Sequence, residues 1–190
     1  MSSNITFTHN IRPIISVDFS KITSGFEKQN YVNYPWTIAE SVIGENVITT
    51  NVCDCTACLI TDGEKALLMH ICPTIKGNRD FKTLFNYICR NIQNMAKDQI
   101  QGIMVGSRDT VTSRGVWSNF SEIFKILKIP VTKLRNGKWS TNIAYKRSTD
   151  EVFISSYPMD CQIKKGGKSG LELLNSQFKE VSIAEYDEVV

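Results

Sequence analysis

The chain has 190 residues, the apolar share of an ordinary globular protein and a net charge of +3. That length suits one domain, 1–190, with a substantial core, and a charge this weak is too small to argue for nucleic-acid binding on its own; none is expected. No apolar run is long enough to span a membrane, and Met1–Thr6 lacks the basic and apolar regions of a Sec signal peptide.

Residues 5–17 predict one or two short strands interrupted by Pro13, and 20–36 read as a polar, aromatic loop. Trp36 to Ile43 predicts a short helix ahead of Gly44. Glu45 to Val52 is a β-branched run and predicts a strand. Hairpin arms follow at about 55–61 and 64–72, joined at Asp62-Gly63. Residues 80–97 predict a helix capped by Asp80, with Phe81, Leu84, Phe85, Ile88, Ile92 and Met95 as its apolar stripe. Gln99 to Gly106 predicts a strand, and Ser118 a helix cap ahead of a stretch stopped by Pro130. Val131–Leu134 and Trp139–Arg147 flank Asn136-Gly137, a second hairpin signal. Glu151–Tyr157 predicts a last strand, so the core runs over about 5–157. A basic Gly-rich loop at 162–170 and a C-terminal helix with an acidic tail at 171–190 complete the chain. The expected fold class is α+β: a layered sandwich with a mostly antiparallel central sheet and helices packed outside.

Both hairpin faces are apolar. Ala57, Leu59, Ala66 and Leu68 share one, and Cys58, Ile60, Leu67, Met69 and Ile71 the other. That pattern predicts a central strand pair covered on both sides. The segment Cys53–Pro73 also holds four of the six cysteines and one of the two histidines. A two-residue turn at Asp62-Gly63 sets Thr61 against Glu64 and therefore Cys55 against His70, with Cβ atoms about 4.5–5.5 Å apart.

Three chemistries fit this cluster. In the first, Cys55 is a nucleophile, His70 its base and Thr49 the group that orients the imidazole, while the Cys55 N–H helps hold an oxyanion. In the second, Cys53, Cys55, His70 and Cys72 share a face and form a zinc site in a non-enzymatic interaction module. Against zinc, Cys-x-Cys and His-x-Cys differ from the usual ligand spacings. In the third, the cysteines are core residues, as Cys58 and Cys89 are read to be. A Cys53–Cys72 disulfide is a minor variant, because cysteines without a signal peptide point to a reducing compartment.

Thr49, Cys55-Thr56 and His70 carry a family resemblance. A threonine six residues before the cysteine, and a histidine fifteen after it, resemble the cysteine-hydrolase superfamily. That superfamily contains the cytotoxic necrotizing factor catalytic domain, the chemotaxis-receptor glutamine deamidases (CheD) and YfiH-like proteins. The resemblance covers Thr49 to Pro73. It implies a CNF/YfiH-like sandwich with Cys55, His70 and Thr49 on a central sheet, and deamidation of a protein glutamine through a thioester. It implies no cofactor and no resident metal. Where the family carries small residues before its nucleophile, Cys53 and Asp54 stand here.

The remaining features are weaker. His9 reads as a surface residue, and Ser107-Arg108-Asp109 as a strand-exit loop at the site rim. Lys164–Ser169 fails as a phosphate loop, because Gln162 stands where glycine is required. Ser182–Val190 resembles the C-terminal translocation signals of type IV-secreted effectors. The expectation is a bacterial cysteine hydrolase in the cytoplasm, or one translocated into a host cell as a toxin-like effector. Its partner is a protein presenting a glutamine side chain; the sequence sets no oligomeric state.

Overall fold

A computed structural model describes residues 12–15, 31–32, 40–106, 110–135, 139–158 and 188–189. His9, Ser107–Asp109, the basic loop 162–170, the C-terminal helix and all of the acidic tail except Glu188 and Val189 lie outside the described residues. The fold is mixed α+β, with two sheets and two helices.

The strands are β1 (Arg12–Ile15), β2 (Tyr31–Val32), β3 (Glu40–Gly44), β4 (Asn46–Val52), β5 (Thr56–Thr61), β6 (Ala66–Ile71), β7 (Gln101–Gly106), β8 (Val131–Arg135), β9 (Trp139–Lys146), β10 (Glu151–Pro158) and β11 (Glu188–Val189). The helices are α1 (Phe81–Ile92) and α2 (Val111–Leu127). One sheet runs β1-β10-β9-β4-β2 and the other β11-β8-β7-β5-β6-β3. Most pairings are antiparallel; β1 with β10, β2 with β4 and β7 with β8 are parallel. Among the described residues no helix is long and apolar enough to cross a membrane.

Two cores define three layers. Between the sheets, Val47, Val52, Ile143 and Tyr145 of one meet Leu59, Leu68, Ile103 and Val105 of the other. On the far side of the six-stranded sheet, Ile60, Leu67, Met69 and Met104 pack under Leu84, Ile88, Phe120 and Phe124 of the helices. The β5–β6 pair is therefore covered on both faces, and its twelve residues are all buried, as a continuous apolar run requires.

Four sequence expectations are corrected. Residues 40–43 are strand and not helix: β-branched Val42 and Ile43 complete the edge beside β6, and sheet pairing outweighs the local pattern. Helix α1 ends at Ile92 and not at 97, although Asp80 does cap it by accepting from the Thr83 N–H. Helix α2 starts at Val111 under a Thr110 cap, well before Ser118; Gly115 sits inside it with open space around its Cα. Strands β8 and β9 do not form a hairpin. Strand β8 returns beside β7 after α2, and β9 joins the other sheet.

The hairpin register also differs. The connection is four residues, 62–65, because Thr61 pairs with Ala66. Asp62 enforces it: Oδ1 accepts from the Glu64 and Lys65 N–H groups at 3.0 and 2.9 Å, and Oδ2 accepts from Ala96 N–H at 3.0 Å. Gly63 supplies the positive φ, 89°. Every partner moves by two residues, so each side chain keeps the face predicted for it.

Burial raises the Asp62 pKa, but backbone N–H bonds from Lys65, Ala96 and Glu64 outweigh it and the net shift is downward. A depressed carboxylate stabilises the fold above its unfolded value, about 3.9, and that contribution is lost as pH falls through the folded value. Asp62→Ala is expected to cost about 2–4 kcal/mol at pH 7. Urea unfolding should show the gap to wild type narrowing below about pH 4.

Candidate active site

The site forms where the chain leaves one sheet for the other. On β4, Val47 and Thr49 point inward, and alternation would send Val52 outward. A bulge prevents this. The ladder passes from Thr49↔Ile143 to Val52↔Thr141, and Asn51 takes up the extra residue in the left-handed region at φ 61°. Asparagine tolerates that conformation better than most residues. Val52 then returns to the inter-sheet core, and Cys53-Asp54-Cys55 carries the chain across to β5.

Polar side chains hold the crossing in place. Asn51 N–H donates to Asn142 Oδ1 at 2.9 Å. Cys53 Sγ–H donates to Ser140 Oγ at 3.1 Å, and Ser140 donates to Asn51 Oδ1 at 3.0 Å. From the helix layer, Thr110 Oγ1 donates to Ser113 Oγ at 2.8 Å, and Ser113 donates to the Asp54 carbonyl at 2.8 Å. The first turn of α2 thus clasps the loop directly ahead of Cys55. Gly106 is required opposite it: its φ is 99°, and a Cβ there would lie 2.5 Å from both the Cys55 carbonyl oxygen and Val52 Cγ1.

His70 lies on β6, fully buried and facing the other sheet. Thr49 Oγ1 is 2.9 Å from its Nδ1 and also donates to the Val32 carbonyl at 2.8 Å. The hydroxyl has one proton, and the Val32 carbonyl receives it. The Thr49 oxygen must therefore accept from Nδ1–H. That fixes the tautomer and leaves the basic lone pair on Nε2. Burial lowers the His70 pKa to about 4, so the ring is neutral near pH 7.

Cys55 is not directly opposite His70. Ala57 is, and its small side chain leaves room for the imidazole. Cys55, one step beyond the last paired residue, stands diagonally from His70 on the same face, a spacing of about 7–8 Å between such positions. Continued by one residue, the ladder brings Cys72 beside it. Neither sulfur is in a disulfide, and the two residues are 4% and 2% exposed. Burial first, then Cys72, and then Cys53 and Asp54, push the Cys55 pKa up. The resting site therefore holds a neutral thiol and a neutral imidazole.

Thr49 and His70 meet, Cys55 shares their compartment, and Cys53 lies at its partly exposed margin. Among the described residues, no three His, Cys, Asp or Glu side chains are arranged to hold a metal ion, so the Cys53–Cys55–His70–Cys72 zinc site gains no support. Sequence reasoning missed Ser113, Ser140, Asn142 and the Cys72 neighbour. Asn51 ahead of the cysteines was a readable bulge signal; the distant hydroxyls gave none. The chain matches no protein-family model and no curated protein.

Thr49→Val should preserve the fold but release the ring. The ¹⁵N shifts of His70 are expected to show one Nδ1–H tautomer in wild type and a mixture in the variant. The histidine also sets an acid limit. Its folded pKa is depressed, so the unfolded chain binds the proton first, and stability falls as pH drops from about 6.5 towards 4. The loss is on the order of 3 kcal/mol, and His70→Gln should flatten that slope in chemical unfolding.

Proposed function

We propose that this protein is a cysteine hydrolase of the glutamine-deamidase type, acting on a protein glutamine. The observation that carries this reading is the Thr49–His70 hydrogen bond at 2.9 Å. It presents Nε2 as a base in the inter-sheet compartment that Cys55 shares. A proton acceptor needs its lone pair aimed in this way. A two-sheet sandwich with helices outside suits a CNF/YfiH-like architecture, as does the spacing of Thr49, Cys55 and His70.

The proposed reaction begins with a carboxamide drawn into the compartment. Cys55 Sγ–H passes its proton to His70 Nε2 as sulfur attacks the amide carbon. The Cys55 N–H helps hold the oxyanion. His70 then returns the proton to nitrogen, ammonia leaves and a thioester remains. Water, deprotonated by His70, attacks the thioester; glutamate is released and the thiol re-forms. Thr49 is a positioning residue that steadies the ring while it carries charge.

The depressed imidazole and the elevated thiol make proton transfer uphill before substrate arrives. Substrate must close the gap between sulfur and Nε2 and hold the developing charge. The free enzyme is therefore expected to react slowly with iodoacetamide at Cys55 near pH 6. An electrophilic glutamine mimic, such as a diazo ketone, should label it faster. A toxin-like role inside a host cell fits this chemistry and supplies a substrate pool.

The decisive comparison uses a host-cell lysate in which glutamine-to-glutamate conversions are mapped by mass spectrometry. Wild type should produce a defined set. Cys55→Ala should remove it with an unchanged circular-dichroism spectrum, and His70→Gln should lower it by about 100-fold or more. Conversion that survives Cys55→Ala overturns the assignment.

A further inference from the structure

The four-residue hairpin loop has a chemical consequence. A two-residue loop would have set Cys55 against His70; the observed ladder ends at Thr56↔Ile71, and one further residue on each strand brings Cys55 beside Cys72 instead. Positions opposed on an antiparallel ladder have Cα atoms about 4.5–5.5 Å apart, inside the range a disulfide spans. The two side chains share the inter-sheet face, Cys72 is close enough to push the Cys55 pKa up, and Cys72 Sγ lies 2.9 Å from Thr74 Oγ1. Side-chain hydrogen bonds brace the backbone at both positions. Ser113 holds the Asp54 carbonyl at 2.8 Å, and the buried Asn78 Nδ2 donates to the Cys72 carbonyl at 2.9 Å. The other described cysteines compete poorly. Cys53 is turned to Ser140 on the facing sheet, Cys58 packs in the helix-side core, and Cys89 lies on α1.

We propose that Cys55 and Cys72 form a reversible disulfide that takes the Cys55 sulfur out of action under oxidation. The oxidant is hydrogen peroxide, small enough for two nearly buried thiols. One thiol gives up its proton as its sulfur attacks a peroxide oxygen; the O–O bond breaks, the departing hydroxide takes that proton as water, and a sulfenic acid remains. The second thiol attacks the sulfenic sulfur, the S–S bond forms, and the departing oxygen leaves as a second water with its proton. Two thiols lose two electrons in total, and a dithiol reductant restores them. The inhibitory consequence rests on the deamidase reading; the disulfide does not.

The test treats the folded wild-type protein with hydrogen peroxide at pH 8, blocks residual thiols in denaturant and maps unreduced tryptic peptides. Tandem fragmentation separates Cys53, Cys55 and Cys58, which trypsin leaves on one peptide. The expected product is a Cys55–Cys72 cross-link that disappears with dithiothreitol and is absent from Cys72→Ser. Deamidation by wild type should fall at least tenfold on oxidation and recover on reduction. Cys72→Ser should show no recoverable loss. A cross-link through Cys53, or Cys55 and Cys72 both left unlinked, overturns the proposal. The wild-type map stands even if Cys72→Ser fails to fold, and Cys72→Ala is then the second variant. A Cys55–Cys72 cross-link in a protein that never deamidates would refute the deamidase reading and leave the disulfide standing.

Discussion

A histidine buried between two β-sheets is the constraint on which the candidate site depends. Imidazole in a dry core must find hydrogen-bond partners or lose several kcal/mol, about 1–3 for each group left unsatisfied. At His70 Nδ1 the requirement is met from the facing sheet, by Thr49, whose own proton goes to Val32 on a neighbouring strand. These two bonds tie β2, β4 and β6 together through Thr49 and select a tautomer. Burial keeps the ring neutral to about pH 4, so at rest it is an uncharged imidazole and not half of an ion pair.

The second constraint is geometric. The chain must pass from one sheet to the other directly after Thr49, and the bulge at Asn51 lets it do so without turning Val52 out of the core. Every polar contact around Cys53 and Asp54 serves that crossing. Asn142 and Ser140 hold it from one sheet and Ser113 holds it from α2. The proposed nucleophile therefore sits on a loop braced from two layers, which suits a group that must meet an incoming carboxamide in a fixed orientation. Its neighbours also work against ionisation. Burial, Cys72 and the nearby Asp54 all favour the thiol, and the site is quiescent until something enters it.

Much of this was legible in the chain. Apolar residues on both hairpin faces announced a central strand pair covered on each side, and strand parity placed Cys53, Cys55, His70 and Cys72 on one face. The parity survived an error in the loop, because a slip of two residues returns each side chain to its own face. The strand at Asn46–Val52 and the Asp80 cap were local signals and were read correctly. Misreadings fell where a partner distant in sequence decides the outcome. Residues 40–43 become strand because β6 offers an open edge. Strands β8 and β9 part company because each finds a better neighbour than the other.

The sequence by itself determined the composition of the site: Thr49, Cys55 and His70 at their spacings, on strands alternating with period two. Tertiary structure decided which of them touch. Asp62 sets the register by collecting three backbone N–H groups, one of them from Ala96, which lies far from the hairpin in sequence. Through that register Ala57 faces His70, and Cys72 falls beside Cys55 one step past the last ladder pair. Residue spacing along one chain fixes parity, but a ladder position depends on hydrogen bonds from residues that only the fold brings near.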